Sequence, residues 1–115
     1  MSDCIFCRIV EGEIPAQKVF EDDEILAFKD IHPIAPVHIL VIPKRHIESL
    51  DASVESDANV FGRMLVKAGP IAREVGAHDG FRTIINTGRI GRQEVYHLHM
   101  HIIGGGDPLP AMIKY

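Results

Sequence analysis

Apolar positions along the chain follow a helical period in one long stretch and a strand period in several short ones. Between residues 56 and 75 they recur every three or four positions, which predicts one long helix. Because proline has no backbone N–H and its ring clashes one turn back, we expect this helix to kink or split at Gly69-Pro70. Turn-forming residues at 76–80 then end it.

Shorter runs predict one short helix and five strands. Residues 4–11 favour a helix that ends before Gly12 and Pro15. Runs rich in β-branched or alternating apolar residues predict strands at residues 18–21, 24–29, 37–42, 81–86 and 95–103. From these elements we expect an α+β fold with an antiparallel sheet, formed by residues 1–115 as one domain.

The last predicted strand carries three histidines. Its sequence reads Tyr-His-Leu-His-Met-His-Ile-Ile from Tyr96 to Ile103. Because side chains alternate between the two faces of a strand, we expect His97, His99 and His101 to share one face. Three adjacent imidazoles contribute little to packing, so the pattern favours a chemical role.

Two kinds of chemistry fit this arrangement, and the spacing alone does not choose between them. Imidazoles at positions i and i+2 can converge on Zn²⁺, as in a zinc hydrolase. In phosphoryl or nucleotidyl transfer, a neutral imidazole instead attacks phosphorus while its neighbours neutralise charge and transfer protons. A backbone carbonyl that accepts the Nδ1–H of the middle histidine leaves its Nε2 free for that attack.

Composition narrows the partners and the location. The net charge of -4 argues against non-specific nucleic-acid binding and against a basic membrane anchor. The N-terminus has no apolar signal segment, and the apolar runs are too short to span a bilayer. We therefore expect a cytoplasmic protein in which Cys4 and Cys7 are thiols or metal ligands rather than a disulfide.

The histidine segment and its flanks resemble a known family. His-Leu-His-Met-His-Ile-Ile followed by Gly-Gly matches the HφHφHφφ signature of the histidine triad (HIT) family, where φ is an apolar residue. The preceding Gln-Glu-Val-Tyr and upstream segments resemble bacterial members of its Hint branch, at residues 14–16, 21–23, 26–28, 30–31 and 36–44. The resemblance therefore covers nearly the whole chain.

This resemblance implies a fold and an activity. Members of the branch have a five-stranded antiparallel sheet with one long and one short helix, and they form symmetric homodimers that join their sheets. They hydrolyse purine nucleoside phosphoramidates and adenylates through a nucleotidyl-histidine intermediate and release AMP or GMP. On this chain the resemblance makes His99 the nucleophile, with His101 and His38 around the α-phosphate.

The resemblance also implies a nucleotide site. Asp30 matches a carboxylate that accepts hydrogen bonds from ribose hydroxyls, and Asn86 matches an asparagine near the phosphate. Arg92 replaces a common glycine, and we expect its side chain to point to water. Five further positions match the apolar wall around the base: Phe6, Ile9, Phe28, Ile31 and Leu40. Three more belong to the loop before the triad, Gln93, Glu94 and Val95, and Glu94 matches a position near the leaving group.

Some relatives bind a structural Zn²⁺ through a Cys-x-x-Cys pair and two histidines. The matching positions here are Cys4, Cys7, His46 and His97. A closed Cys₂His₂ set leaves no coordination position for water, so the resemblance implies a structural metal, with catalysis left to His99. No cofactor is then required for the chemistry.

Two other functions stay open at this point. One is the hydrolysis of dinucleoside polyphosphates, which the Hint-like flanks disfavour. The other is a nucleotide- and zinc-binding interaction module that acts through a partner protein.

Overall fold

The computed structural model describes residues 3–113, and its architecture is the predicted α+β one. Within these residues a five-stranded antiparallel sheet has the strand order β1-β2-β3-β5-β4 and carries one short and one long helix. The elements are α1 (Ile5–Val10), β1 (Lys18–Glu21), β2 (Ile25–Lys29), β3 (Val37–Pro43), α2 (Ala58–Glu74), β4 (Phe81–Ile85) and β5 (Met100–Gly104). No helix in this part of the chain is long and apolar enough to cross a membrane.

The sheet separates two apolar clusters. On one face α2 buries Val60, Met64 and Ala68 against alternate residues of the central strands, including Ile39 and Val41. On the other face α1 packs against the intervening residues in a cluster of Phe6, Ile9, Leu26, Phe28, Leu40 and Ile42. Because β3 is covered on both faces, all seven of its residues are buried, which explains why all of them except His38 are apolar.

The long helix is not split at Pro70. A 3-10 turn over Glu55–Asp57 leads into α2, which runs without interruption from Ala58 to Glu74. Pro70 lies on the exposed side of the helix, between the buried Ala68 and Ile71. Its ring therefore faces away from the sheet, and packing of the buried side holds the helix together across it.

The last strand is shorter than the sequence predicts. It begins at Met100 rather than at residue 95, so His97 and His99 precede the strand and only His101 belongs to it. The pairing of Val41 with Met100 would next place Pro43 opposite Leu98. Since proline has no N–H to donate, the ladder stops there, and the Leu98 N–H donates to the Ile47 carbonyl instead (2.7 Å). The expectation that all three histidines share one strand face is wrong for this reason.

Candidate active site and metal centre

A cavity of about 630 Å³ opens on the α1 side of the sheet. The strand register places four residues in a row beneath it, one from each of β2, β3, β5 and β4: Phe28, Leu40, His101 and Ile84. Helix α1 adds Phe6 and Ile9 as one wall. The volume suits a ligand of nucleotide size, and the lining combines apolar side chains with a few polar groups.

The His99 ring lies in this cavity with one defined tautomer. Its Nδ1 is 2.8 Å from the His97 carbonyl oxygen. Because a carbonyl oxygen can only accept, Nδ1 carries the hydrogen and Nε2 carries the lone pair. The Phe6 ring packs edge-on against the imidazole at a centroid distance of 5.1 Å, and the His99 residue is only 7% exposed. His99 therefore has the geometry of an oriented nucleophile.

His101 and His38 form a hydrogen-bonded pair beside it. The Ile34 N–H donates to His38 Nδ1 (3.2 Å), so the hydrogen of a neutral His38 is on Nε2. That Nε2–H points to His101 Nδ1 at 2.9 Å, with Asp30 Oδ2 at 3.4 Å. A neutral His101 then carries its own hydrogen on Nε2, where it can be donated to a ligand.

Burial keeps this pair neutral. It lowers the pKa of His101 from 6.5 to about 4, with further lowering from the neighbouring His99 and His38. Burial also lowers the pKa of His38, although the Asp30 carboxylate opposes that effect. Near neutral pH both rings are therefore uncharged hydrogen-bonding groups, with tautomers set by the Ile34 backbone.

The carboxylate of Asp30 stands at the β2 end of the cavity. Its Oδ1 accepts a hydrogen bond from the His32 N–H (2.8 Å), which fixes the side chain at the cavity wall. The predicted apolar wall residues Phe6, Ile9, Phe28, Ile31 and Leu40 all line the cavity. Ile31 is 84% exposed and stands at the mouth, whereas the other four are buried.

The opposite end is formed by β4 and the loop that follows it. Asn86, Glu94 and Val95 line it. The Arg92 side chain is exposed to solvent, as the sequence led us to expect, but it also borders the cavity. Gln93 lies outside the lining. Its amide Nε2 donates to the carbonyls of Glu48 (2.7 Å) and Val95 (3.0 Å), and its Oε1 accepts from the Gly88 N–H. The side chain therefore holds the loop in place rather than facing the cavity.

Several lining residues were not singled out from the sequence as ligand contacts. Ile84 is on the cavity floor because it pairs with His101, a signal that exists only once the strand register is known. The others are the first residue of α1 and residues of loops or of the outer part of a strand, none of which was assigned a ligand contact from the sequence: Ile5, Ile14, Pro15, Ala16, Lys29, His32, Ile34, Gly91 and Ile103.

A second cluster lies behind the triad. The possible ligand atoms of Cys4, Cys7, His46 and His97 all lie within 4.8 Å of one another. The His97 Nδ1 is 3.3 Å from Cys4 Sγ and 3.5 Å from Cys7 Sγ, and the His46 Nδ1 is 3.3 Å from Cys7 Sγ. A tetrahedral zinc ion with ordinary Zn–S and Zn–N bonds sets S···N separations of about 3.5 Å. The donor set therefore fits zinc in chemistry and in spacing.

His97 is prepared for this role by its other nitrogen. Its Nε2–H donates to the Pro43 carbonyl at 2.7 Å, which leaves the Nδ1 lone pair directed at the two sulfurs. Burial lowers the pKa of this ring to about 4, so the neutral form that binds metal is the stable one.

Asp30, His38 and His101 also lie close enough to hold an ion. The hydrogen bonding argues against it. Metal binding at His38 Nε2 would move the hydrogen to Nδ1, where it would meet the Ile34 N–H. This group is therefore better described as a hydrogen-bonded chain.

The fold and the site define a histidine triad protein, and comparison with known proteins agrees. The chain belongs to the HIT domain family, whose model matches residues 11–107. Protein HitA of Neisseria gonorrhoeae is 52% identical over 104 residues, which are 90% of this chain and 97% of that protein.

Solved structures show the same likeness in three dimensions. A histidine triad protein from Clostridium difficile superposes with a TM-score of 0.91 at 47% identity, covering 98% of each chain. A HIT family hydrolase from Legionella pneumophila Philadelphia 1 gives a TM-score of 0.87 at 44% identity, covering 91% of this chain and 95% of that one. The predicted family is thereby confirmed.

Proposed function

We propose that this protein is a hydrolase of the Hint type, which cleaves purine nucleoside phosphoramidates and related adenylates and releases AMP or GMP. The observation that carries the proposal is His99, a buried imidazole whose Nδ1–H is bound to a backbone carbonyl and whose Nε2 lone pair is free in a nucleotide-sized cavity. The relatives from Legionella pneumophila and Clostridium thermocellum are named HIT family hydrolases, which supports the reaction class.

The first step transfers the nucleotidyl group to His99. The Nε2 lone pair attacks the α-phosphorus, a new P–N bond forms to the imidazole, and the P–N bond to the leaving amine breaks. The electron pair of the broken bond stays on the amine nitrogen, which takes up a proton. The Nε2–H of His101 donates to a phosphoryl oxygen, and the His97 carbonyl stabilises the positive charge that develops on the His99 ring.

The second step hydrolyses the intermediate and regenerates the free enzyme. A water oxygen attacks phosphorus, the P–N bond to His99 breaks, and the electron pair returns to Nε2. The water gives up one proton, which balances the proton taken by the amine. The overall change consumes one water and releases a nucleoside monophosphate and an amine.

The β2 end of the cavity is suited to the nucleoside. Asp30 Oδ2 can accept from a ribose hydroxyl while its Oδ1 stays bound to the His32 N–H. Phe6, Phe28 and Leu40 offer an apolar surface to the base. Because these groups recognise shape rather than hydrogen-bonding edges, we expect only a modest preference between adenine and guanine.

The metal centre is proposed to be structural. Zinc bound by the two thiolates and two imidazoles would join α1 to the segment before β5, and it would supply no water or charge to the reaction. We also propose a cytoplasmic homodimer. Its support is the open outer edge of β4, which pairs only with β5 within the described chain, and the exposed apolar residues Leu65 and Val66 on α2.

Trapping the intermediate tests the proposal. The protein is mixed with an adenosine 5′-phosphoramidate, quenched within the first turnover and examined by intact mass and peptide mapping. We expect one adenylyl group on His99 and turnover abolished in His99→Ala. His78→Ala, an exposed histidine outside the cavity lining, is the matched control and should keep full activity. Full turnover by His99→Ala, or a label on another residue, would contradict the mechanism.

A further inference from the structure

The cavity has two chemically different ends on either side of the catalytic histidines. The strand order β2-β3-β5-β4 places His101 between the nucleoside end at β2 and a second end formed by β4 and the following loop. The phosphorus carries the nucleoside and the leaving group as separate substituents. With the nucleoside at β2, the second end is the space that remains for the leaving group.

The loop at this second end is tightly held. Gly91 N–H donates to Thr87 O, and Gln93 N–H donates to Gly88 O (2.9 Å). A Cβ on Gly91 would lie 2.5 Å from the Thr87 carbonyl oxygen, so only glycine fits there. These contacts fix the backbone through which the next residue, Arg92, is presented to the cavity.

Arg92 has an unusual backbone conformation. Its φ of 60° makes it the one non-glycine residue between positions 3 and 113 with a positive φ. L-residues with long side chains rarely adopt this region, and such outliers cluster at functional sites. Glycine would be easier to accommodate here, so the arginine side chain itself is the feature that needs a reason.

The charges at this end are not paired with each other. Arg45 binds Asp57, Arg63 binds Asp22, and Arg82 donates to the Pro110 carbonyl. In the described residues Arg92 and Glu94 have no such ion pair, yet both line the cavity. A guanidinium and a carboxylate are therefore both available to a ligand that carries the opposite charges.

We propose that this end selects leaving groups that are α-amino acids with a free carboxylate, linked to phosphorus through their nitrogen. The Arg92 guanidinium binds the carboxylate in a two-pronged hydrogen-bonded pair. The Glu94 carboxylate accepts a hydrogen bond from the same leaving nitrogen and attracts the ammonium group that it becomes after P–N cleavage. This assignment names the substrate class and rests on the function proposed above.

A pair of substrates that differ only in the carboxylate tests the assignment. Adenosine 5′-phosphoramidates of alanine and of alaninamide are compared by kcat/KM. We use Arg92→Asn because asparagine tolerates a positive φ, and Arg89→Asn as a control in the same loop but outside the lining. The expected loss in Arg92→Asn is about fivefold to tenfold for the alanine compound and less than twofold for the amide, as for a partly exposed charge pair.

Further variants make the outcome decisive. Arg92→Glu should reverse the preference so that the amide becomes the better substrate, and Arg89→Asn should leave both rates unchanged. An equal loss on both substrates in Arg92→Asn would mean that the arginine serves the α-phosphate and would overturn the inference, as would unchanged selectivity. If the unmodified protein cleaves neither compound and forms no adduct on His99, the proposed function fails and this inference fails with it.

Discussion

The roles of the histidines depend on which ring nitrogen each one uses for a hydrogen bond. His99 donates its Nδ1–H to a backbone carbonyl, which leaves Nε2 for the proposed nucleophilic attack, whereas His97 donates its Nε2–H to the Pro43 carbonyl, which leaves Nδ1 for the proposed metal. The two residues are alike in sequence context, but the backbone groups around them differ. The proposed mechanism therefore gives one repeated residue type three different roles, with His101 as a hydrogen-bond donor to the phosphate.

Two substitutions at His38 separate its two hydrogen bonds. In His38→Gln the distal amide can still donate to His101 Nδ1, whereas in His38→Asn the shorter side chain keeps only an acceptor for the Ile34 N–H. If His38 orients the His101 tautomer, the asparagine variant should lose about tenfold to hundredfold in kcat/KM, and the glutamine variant should recover much of it.

Steady-state kinetics with an adenosine phosphoramidate measures this difference, and thermal melting checks that both variants are folded. A merely structural role for His38 would not favour glutamine. Equal activity of the two variants, or higher activity of the asparagine variant, would therefore contradict a positioning role.

At this scale the sequence predicts which residues meet but not how they meet. The alternating histidines and the Cys-x-x-Cys pair identify the two clusters, and the structure brings both together. The sequence cannot show that the Gln93 amide reaches the Glu48 carbonyl, 45 positions away, because that contact depends on how the two loops pack. The same limit applies to the charge that Arg92 presents to the cavity.

At the scale of the elements, hydrogen bonding between segments far apart in the sequence overrides the local pattern of apolar residues. Alternation of apolar residues continues from residue 95, so a strand is predicted there, but Pro43 on the neighbouring strand has no N–H and pairing begins at Met100. Because the strand pairing ends there, the segment before Met100 can turn, so that the His97 side chain faces the two cysteines and the His99 side chain faces the cavity. The positions of the other strands follow their sequence patterns to within about one residue at each end, because each is bounded by turn residues or proline.

Helix α2 offers an element-level prediction. Pro70 is exposed and lies within the helix, so Pro70→Ala restores a backbone hydrogen bond and removes a ring clash without loss of buried contact. The unfolded chain gains some freedom in exchange, and we expect a net rise in the free energy of unfolding of about 1–2 kcal/mol. Urea denaturation measures this change.

The matched control is Gly62→Ala in the same helix. Its added Cβ meets nothing within 4 Å, so it should gain only the propensity difference of about 0.5–1 kcal/mol. If Pro70→Ala gains no more than Gly62→Ala, or destabilises the protein, then packing has already compensated for the proline and the prediction is wrong.

At the scale of the whole molecule, the sheet separates the large apolar core on one face from the candidate active site on the other. The α2 side contains a large apolar cluster, while the other side is closed by the single short helix α1. A six-residue helix is not stable alone, so α1 needs tertiary contacts to hold Phe6 against the His99 ring. The Cys₂His₂ cluster lies at the N-terminal end of this helix and can supply such contacts.

Metal binding should therefore stabilise the folded protein as a whole. We expect one zinc ion per chain and, at a free zinc concentration about 100 times the Kd, about 2.7 kcal/mol of added stability. For a domain of this size that corresponds to a rise in Tm of about 10 °C, measured by thermal melting before and after chelation.

The cysteine variant decides whether the rise comes from this cluster. Cys7→Ala removes a ligand whose sulfur lies within 3.5 Å of both imidazoles, so its Tm should no longer respond to zinc and should match that of the chelated parent protein. If zinc raises the Tm of Cys7→Ala as much as it raises that of the parent protein, the metal binds elsewhere. The alternative site in the described chain is the group of Asp30, His38 and His101. Because zinc at that group would compete with the phosphate, nucleotide binding would then weaken as zinc is added, whereas binding at the cysteines should leave the nucleotide site open.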